Sequence, residues 1–471
     1  MMPLWSAMEA AAATGGRAIG DWQAAGVSID SRSVTAGDLF IALVGPNFDG
    51  HNFVADALKK GAAAAIVAKR PEGAADSAPL LVVADTQRAL ENLGRAARAR
   101  AQGEIIAVTG SVGKTGTKEA LKCALEGQGR TFASSGSLNN QWGVPLSLAR
   151  MPPDASYGIF ELGMNHPGEI DGLSRMVRPD VAIITTIEPA HLGFFTSVEA
   201  IADAKAEIFA GVEPGGAAIL NRDNAFYDRL AAAARARGIA RILDFGADKR
   251  ASVRLIDCHL YATTSAVTAA VMGEAIDYSI ALPGRHWVMN SLAVLAAVKA
   301  AGGDIGAAAR ALATLSALDG RGKRYRLDVP GGTVELIDES YNASPASMRA
   351  AFAVLGAIDP GPGGRRVAVL GSMLELGQES DRLHAELAKP LLDANVGLVF
   401  TLGDEMRALD AALPAKRRGG HAADLAELVD LLAKRLKPND VITVKGSHGS
   451  RLYELVAKLV AATAPVLAAK G

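Results

Sequence analysis

Short apolar runs alternate with longer helical stretches along most of the chain. Near the N-terminus, the apolar segments 38–43 and 64–67 stand between stretches rich in alanine, lysine and arginine. Four further apolar strands are expected, at 105–108, 157–162, 181–184 and 217–220. Strands that alternate with helices are typical of a mostly parallel sheet whose two faces are covered by helices. The pattern therefore predicts an α/β protein.

The second half of the chain departs from this pattern in two places. Between residues 242 and 280, threonine, valine, serine and alanine alternate over short distances, which favours a small β-meander inserted in the preceding domain. A helix is expected from about Val288 to just before Gly302. Three later apolar strands, each followed by a turn with glycine, are expected at 366–370, 398–402 and 441–444. They predict a Rossmann-like, doubly wound sheet.

The length of the chain predicts more than one domain. Its 471 residues exceed what one hydrophobic core usually holds, since cores stop growing at roughly 250–300 residues. A basic helical pattern ends near residue 100, and a polar cluster occupies 319–324. We therefore expect three domains, at 1–102, 103–318 and 319–471.

Composition narrows the class of protein. Apolar residues make up 49% and charged residues 21%, the balance of a soluble globular protein. The formal net charge of -1 argues against a nucleic-acid binder with a broad basic face. Cys123 and Cys258 form no metal or disulfide pattern, and no apolar run approaches the roughly 18 residues of a membrane helix. We expect a cytoplasmic protein with no nucleic-acid partner and no membrane span.

A glycine-rich segment follows the apolar strand at 105–108 and opens a helix in the central domain. Its residues are Thr109, Gly110, Ser111, Val112, Gly113, Lys114 and Thr115. In such a P-loop, backbone amides cradle phosphate oxygens, the lysine reaches the terminal phosphates and the hydroxyl ligates magnesium. Val108 stands where the longer GxxxxGK[ST] pattern has glycine, so this is a shorter TGxxGKT variant. The segment predicts binding of ATP with Mg²⁺; a glycine-rich turn that binds nothing is the alternative.

Two residues lie at the carboxyl edge of the predicted central sheet, where open α/β folds bind ligands. Glu161 closes one strand and could hold Mg²⁺, with an exposed strand-end glutamate as the alternative. His191 lies just past the strand at 181–184, and taken alone it is better explained as a structural residue. Lys205 lies in a helical pattern, in which a lone lysine usually faces solvent.

Polar residues also cluster at the start of the third domain. Asp338, Tyr341 and Asn342 belong to a segment that follows the strand expected at 334–337, and Arg321 lies in the preceding linker. On residue type alone, a turn and an ordinary linker explain these positions.

Seven distinctive segments occur in one order along the chain. They are TGSVGKTGTKE, SLNNQWGVPLSL, ELGMN, TTIEPAHLGFF, AKAEIF, GRHWVMNSLA and DESYNASPASM. Together they resemble the Mur ligases, and the resemblance covers nearly the whole chain. Within that family, NFDGH at 47–51 and LELG at 374–377 are similar to the branch that attaches a dipeptide.

The resemblance implies a cytoplasmic, ATP-dependent ligase of peptidoglycan-precursor synthesis that uses ATP and Mg²⁺. Its partners would be UDP-N-acetylmuramoyl-tripeptide and D-alanyl-D-alanine, joined through an acyl phosphate. By the same resemblance, the N-terminal domain would hold the UDP-linked substrate, the central domain ATP, and the C-terminal domain the dipeptide. A monomer is expected.

The resemblance also implies roles for residues of this sequence. The catalytic residues would be Lys114, Lys205 and His191. Those that join the P-loop in binding ATP would be Asn290, Arg321 and Asp338. The metal ligands would be Thr115, Glu161, His191 and, if carbamylated, Lys205. The residues assigned to the UDP-linked substrate are Ser31, Arg32, Asn47, Asp49, Gly50, His51, Asn139 and Asn140. Tyr341 and Asn342 would lie on the dipeptide side.

Two other functions stay open at this point. An amide ligase similar to folylpolyglutamate synthase shares the P-loop, although the NFDGH and SYNASP segments argue against a folate substrate. A regulatory ATP-binding protein would use the loop without ligation. The sequence also leaves open whether the third residue of the tripeptide is diaminopimelate or lysine, and which basic group of the segment 444–451, His448 included, meets the substrate.

Overall fold

The computed structural model describes residues 3–72, 75–190 and 192–463. In these ranges the chain forms three main β-sheets of five, nine and six strands, one after another along the sequence. Each main sheet falls inside one of the three predicted domains, while the boundaries at 102 and 318 stay a prediction. None of the helices in the described ranges is long and apolar enough to cross a membrane.

The N-terminal sheet is mostly parallel. In sheet order its strands are Arg17–Ile19, Leu80–Val82, Ala64–Val67, Asp38–Ile41 and Gly26–Ser28. Two short antiparallel pairs accompany it, Trp5–Ser6 with Gln23–Ala24 and Val44–Gly45 with Phe48–Asp49. The helices are Ala7–Thr14, Val54–Lys59 and Thr86–Arg100. The last helix is tied to the central domain, because Arg98 donates hydrogen bonds to the carbonyl oxygens of Val177 and Arg178.

The central sheet has nine strands, of which the first seven are parallel. In sheet order they are Thr131–Ala133, Tyr157–Glu161, Glu104–Thr109, Val181–Ile184, Ala217–Asn221, Arg241–Gly246, Val253–Leu260, Ser265–Val271 and Glu274–Ile280. The helices are Lys114–Glu126, Gly143–Arg150, Glu169–Val177, Val198–Ala206, Tyr227–Ala236, Arg285–Ala300 and Ile305–Leu312. The helix predicted from about Val288 thus begins at Arg285.

Both faces of the central sheet are buried, which explains the continuous apolar runs in its strands. In the strand Glu104–Thr109, Ile106 and Val108 pack into one core and Ile105 and Ala107 into the other. The carboxyl edge of this strand is thereby fixed between two cores, and the P-loop follows directly from it.

The predicted meander at 242–280 is partly corrected. Its first segment is the parallel strand Arg241–Gly246, and the antiparallel strands that follow extend the same sheet instead of forming a separate insert. The physical reason is burial: Phe245 and Val253 belong to the same hydrophobic core as the central strands, and Leu292 of the long helix lies in it too.

The C-terminal sheet confirms the Rossmann-like prediction. In sheet order its strands are Lys323–Val329, Gly332–Glu339, Val441–Lys445, Arg366–Gly371, Leu398–Leu402 and Arg418–Ala422, and the last five are parallel. Its helices are Pro345–Gly356, Ser380–Ala385, Ala388–Asp393, Arg407–Ala412, Leu425–Arg435 and Leu452–Thr463. Short 3₁₀ turns lie at Gly50–Phe53, Glu207–Gly211, Gly377–Glu379, Asp404–Met406, Ala415–Arg417 and His448–Ser450.

One local prediction about this sheet was wrong. Asp338 and Glu339 are the last two residues of the strand Gly332–Glu339, not part of a turn that follows it. They pair in register with Val444 and Lys445 of the neighbouring parallel strand, which extends the ladder beyond the apolar residues.

Candidate active site

The P-loop lies at the carboxyl end of the strand Glu104–Thr109, and two of its residues need to be glycine. Gly110 and Gly113 have φ angles of 148° and 87°, a region that other residues rarely adopt. A Cβ atom on Gly110 would lie 1.9 Å from the hydroxyl oxygen of Thr185. That hydroxyl donates to the carbonyl oxygen of Val112 at 2.6 Å, so the neighbouring strand end holds the loop in place.

The polar side chains of the loop are also fixed. The amide of Ser111 donates to the carbonyl oxygen of Thr186 at 2.9 Å, and its hydroxyl donates to that of Glu188 at 3.0 Å. Lys114 turns back over the loop, where its ammonium donates to the carbonyl oxygen of Gly110 at 2.8 Å. The loop is therefore ordered by contacts inside its own domain.

The charge of Lys114 is poorly balanced. Burial lowers the pKa of its ammonium, the carboxylate of Glu161 raises it in part, and the guanidinium of Arg321 lowers it again. An anion bound in this loop would remove that imbalance, since an opposite charge nearby favours the charged form of a lysine. The site is electrostatically suited to phosphate.

Glu161 lies beside the loop with its side chain buried, at 1% exposure. The hydroxyl of Thr115 donates to one of its carboxylate oxygens at 2.7 Å, and the amide of Asn139 donates to the other at 2.7 Å. The alternative of an exposed strand-end glutamate is thereby excluded. Three residues predicted from different segments are in direct contact.

Lys205 is buried in the helix Val198–Ala206, at 1% exposure, so the solvent-facing alternative is excluded as well. Within the described ranges its ammonium has no hydrogen bond and no ion pair. Burial, and next the charge of Lys114, lower its pKa well below the ordinary value. His191, which was predicted as a metal ligand together with Lys205, lies outside the described residues. Among the residues that are described, no group of three or more His, Cys, Asp or Glu side chains could hold a metal ion.

The C-terminal domain faces the P-loop through Arg321 and through the segment that contains Tyr341 and Asn342. The guanidinium of Arg321 lies over the ring of Tyr341, 4.1 Å from its centroid. The hydroxyl of Tyr341 donates to that of Ser137 in the central domain. The contacts of Asp338 are with its own backbone surroundings. Its carboxylate accepts hydrogen bonds from the amides of Gly320, at 2.9 Å, and Ser340, at 3.0 Å. It shapes the backbone around Arg321.

A cavity of about 960 Å³ separates the two domains. The predicted residues that line it are Ser111, Val112, Gly113, Lys114, Thr115, Asn139, Asn140, Glu161, Asn290, Arg321, Tyr341 and Asn342. Thr109, Gly110, Asp338 and Lys205 are not among its lining residues. The structure thus brings the P-loop, Glu161 and the C-terminal cluster to one chamber.

The predicted N-terminal residues are not among the residues that line this cavity. These residues are Ser31, Arg32, Asn47, Asp49, Gly50 and His51. His51 is buried, its Nδ1–H donates to the carboxylate of Asp49 at 2.6 Å, and its Nε2 accepts from the amide of Ala68 at 2.9 Å. A Cβ atom on Gly50 would lie 2.6 Å from the carbonyl oxygen of Leu43. His51 and Gly50 thus stabilise the local fold, whereas Arg32 is exposed and paired with Asp30.

Lys118 was not predicted, and Lys445 was only one of the basic groups left open in the segment 444–451. Lys118, at 0% exposure, donates to the carbonyl oxygens of Ser134 and Gly136, the latter at 2.8 Å, and pairs with Glu119 at 2.9 Å. It anchors the loop that leads to Asn139. Lys118 follows Lys114 by one helical turn, and this spacing could have indicated in the sequence that it lies on the same side of the helix. Lys445, at the end of a C-terminal strand, lines the cavity as well.

A histidine orders the LELG segment on the other side of the cavity. The Nε2 of His384 accepts from the amide of Met373 at 2.9 Å, and its Nδ1–H donates to the carbonyl oxygen of Ser380 at 2.7 Å. Burial lowers the pKa of His384, which favours the neutral ring that these bonds require. The amide of Gly193 donates to the carbonyl oxygen of Glu375 at 2.8 Å, so this loop contacts the central domain.

A second cavity, of about 560 Å³, lies at the carboxyl edge of the C-terminal sheet. Its wall includes Ser372, Glu405 and Arg451. Leu374 and Gly449 line both this cavity and the larger one. The two chambers therefore meet at one point of the C-terminal domain.

A P-loop sheet that faces a doubly wound sheet across one cavity defines a P-loop α/β protein with its site between two domains. The similarity to known proteins narrows this class to one family. Residues 23–100 match "Mur ligase family, catalytic domain", residues 108–298 match "Mur ligase middle domain", and residues 320–448 match "Mur ligase, glutamate ligase domain". The chain belongs to the Mur ligase family.

Individual relatives cover almost the whole chain. The UDP-N-acetylmuramoyl-tripeptide–D-alanyl-D-alanine ligase of Rickettsia prowazekii is 38% identical over 433 residues, which are 91% of this chain and 94% of the relative. The crystal structure of MurF from Acinetobacter baumannii superimposes with a TM-score of 0.83 at 32% identity, covering 97% of this chain and 99% of that one. MurF ligase from Thermotoga maritima in complex with ADP gives 0.75 at 27% identity, with 92% and 96% covered.

Proposed function

We propose that this protein is the ATP-dependent ligase that adds D-alanyl-D-alanine to UDP-N-acetylmuramoyl-tripeptide, forming ADP and phosphate, in the synthesis of peptidoglycan precursors. The observation that carries the proposal is the single cavity in which Lys114 of the P-loop faces Arg321 and Tyr341 of the C-terminal domain. The relatives that match over nine-tenths of the chain bear the name of this ligase.

The first step follows from charge. The carboxylate of the tripeptide attacks the γ-phosphorus of ATP, and two anions approach each other only where cations screen them. Lys114 and the loop amides hold the phosphates on one side, and Arg321 supplies positive charge from the other. The products of this step are an acyl phosphate and ADP.

The residues beside the P-loop fit a magnesium ion. Thr115 and Glu161 offer a hydroxyl and a carboxylate, the hard oxygen ligands that Mg²⁺ prefers. An ion held there would supply positive charge to the phosphates. Lys205 is the third candidate ligand: a neutral buried amine can add carbon dioxide and release a proton, which converts it into a carbamate anion.

In the second step, the neutral amine of the dipeptide attacks the carbonyl carbon of the acyl phosphate. A C–N bond forms, the bond between carbon and the phosphate oxygen breaks, and the electron pair leaves with phosphate. We place the dipeptide on the side of Tyr341 and Asn342, with the smaller cavity as its route of entry. The contact between Gly193 and the LELG loop helps to exclude water that would hydrolyse the intermediate.

The UDP-linked substrate is assigned to the N-terminal domain. Phe48, within the NFDGH segment, and Phe53, two residues after it, are 48% and 42% exposed. Exposed aromatic faces suit stacking with a planar base. Binding there would leave the tripeptide end free to reach the large cavity.

Phosphate release by the purified full chain tests the proposal. With ATP and Mg²⁺, we expect release only when UDP-N-acetylmuramoyl-tripeptide and D-alanyl-D-alanine are both present. Lys114→Met should lower the rate by about 10²–10³-fold, because it removes a charge aimed at the transferred phosphate. Lys122→Met is the matched control on the same helix, since the side chain of Lys122 is 42% exposed and pairs with Glu126 at 3.4 Å.

Other outcomes separate the alternatives. Release that requires neither substrate would replace the ligase with a regulatory ATP-binding protein. Release that requires a folate and glutamate in place of the two substrates would favour the folylpolyglutamate synthase-like ligase.

A further inference from the structure

Lys445 ends the strand Val441–Lys445, which lies between two parallel neighbours of the C-terminal sheet. Its side chain is buried, at 3% exposure, and it lines the larger cavity. A lysine at this place is delivered to the cavity by a rigid strand end, whereas Lys114 comes from the opposite domain.

The contacts of this ammonium leave it partly unsatisfied. It donates to the carbonyl oxygen of Asn342 at 2.8 Å, and the nearest carboxylate oxygen, from Glu339, lies at 3.5 Å. An ammonium has three donors, so in the described structure one N–H of Lys445 lacks a protein acceptor. Such a donor, buried beside a cavity, is available to a ligand.

The ion pair with Glu339, at 3.5 Å, balances the charge of Lys445 only in part. Burial lowers the pKa of Lys445, Glu339 raises it, and Arg321 lowers it again. Burial and the charge of Lys445 together lower the pKa of His286 to about 4, so that this ring is neutral at pH 7 and adds no further positive charge. Lys114, Arg321 and Lys445 therefore place three cations around one chamber.

We propose that Lys445 is a further catalytic residue, whose ammonium binds an oxygen of the phosphoryl group that passes from ATP to the substrate carboxylate. The inference rests on the proposed ligase function. Two observations carry it: Lys445 lines the cavity with one donor that no described residue accepts, and Lys114 and Arg321 bring two further cations to the lining of the same cavity.

The chemistry balances with Lys445 protonated throughout. A bond forms between a carboxylate oxygen and the γ-phosphorus, and the bond to the bridging oxygen breaks with its electron pair going to ADP. Lys445 stabilises the charge on the equatorial oxygens during this transfer, and again on phosphate as it leaves. A bound phosphate dianion also favours the ammonium form of the lysine.

The other basic groups of the same segment are placed differently. Arg451 is 64% exposed at its side chain, pairs with Glu454 at 2.7 Å and lines the smaller cavity. The ring of His448 is stacked on that of Tyr453, 4.9 Å between centroids. His448 lines the larger cavity too but is exposed, so Lys445 is the one of the three that is both buried and part of that lining.

The test compares Lys445→Met with wild type in the full chain, using phosphate release with both substrates. We expect kcat to fall by about 10²–10³-fold, the effect of removing one charged donor from a transition state. The KM for ATP should stay within about threefold, because ATP is bound by the P-loop of the other domain. Lys445→Arg, which keeps the charge, should retain more activity than Lys445→Met.

Lys389→Met is the matched control, since Lys389 is an exposed surface lysine of the same domain. Equal kcat values for Lys445→Met and wild type would overturn the inference, and so would a rise in KM for ATP with kcat unchanged. If Lys445→Met does not fold, judged by the loss of a cooperative thermal transition, Lys445→Gln carries the same expectation. Failure of the wild type itself to require both substrates would instead overturn the proposed function.

Discussion

Lys118 and Lys205 are both buried lysines of the central domain, but the surroundings of their ammonium groups differ. Around Lys118, two carbonyl oxygens accept hydrogen bonds from the ammonium, and the carboxylate of Glu119 forms an ion pair with it at 2.9 Å. Around Lys205, the described residues offer neither a hydrogen bond nor a counter-charge, and the pKa falls well below its ordinary value. Burial costs a charged group free energy unless it is paired, so the two lysines are stabilised to very different degrees.

The difference separates a structural lysine from a reactive one. Lys118 holds the loop at 134–136 and thereby the position of Asn139, which contacts Glu161. Lys205 forms no hydrogen bond and no ion pair with the described residues, and a neutral amine is the form that reacts with carbon dioxide. A buried lysine to which the described residues offer no counter-charge is therefore the better candidate for chemistry.

The largest expected effect is on activity. Lys205→Ala should lower kcat/KM for phosphate release by about 10²–10³-fold, since it removes the anion that a carbamate would provide. Short carboxylates such as acetate should restore part of the activity of Lys205→Ala and none of that of Lys118→Ala. Full activity of Lys205→Ala without added carboxylate would contradict the assignment of Lys205 as the reactive lysine of the two.

A smaller effect is expected on stability, with opposite signs. In bicarbonate-free buffer with EDTA, Lys118→Met should lower the free energy of unfolding by about 3 kcal/mol, because buried acceptors lose their donor. Lys205→Met should raise it by about 1 kcal/mol, because an unpaired amine is replaced by an apolar side chain. Thermal midpoints of the full chain that shift in the same direction would contradict the comparison.

The smallest expected effect is a pH dependence. The folded-state pKa of Lys205 lies well below the value of 10.5 for an ordinary lysine, so the unfolded chain binds the proton more tightly. The stability that depends on Lys205 is therefore fully present above pH 10.5 and is lost as the pH falls toward the folded-state pKa.

The advantage of Lys205→Met over wild type should accordingly shrink as the pH rises from 7 toward 10, by no more than about 1 kcal/mol in total. Thermal melts of the two proteins across this range measure it. A difference that does not change with pH would mean that Lys205 keeps its proton in the folded protein.

Much of the fold was predictable because strands that are buried on both faces read as apolar runs. The strand expected at 181–184 is Val181–Ile184, and the one expected at 398–402 is Leu398–Leu402. The P-loop was equally readable, since its glycines are needed for the backbone itself. The attachment of the meander was not, because the pairing of Phe245 with Val253 depends on a core formed by distant segments.

The sequence indicated which residues meet in the site, but it indicated less about how each of them is buried and bonded. Thr115, Asn139 and Glu161 come together as the motifs imply. The environment of Lys118 and Lys445 could not be read from the sequence, because a lysine in a helix or at a strand end looks the same whether it is exposed or buried. The nucleotide contact of Asp338 stays a prediction, and the structure adds that its carboxylate fixes Gly320.

The meeting of the two cavities at Leu374 and Gly449 has a consequence for ligand design. Two weak fragments, one in each chamber, could be joined by a short linker that passes this point. Once the first fragment is bound, the second meets its chamber at the effective concentration set by the linker. Such a bivalent molecule should bind about 10²–10⁴-fold more tightly than either fragment alone.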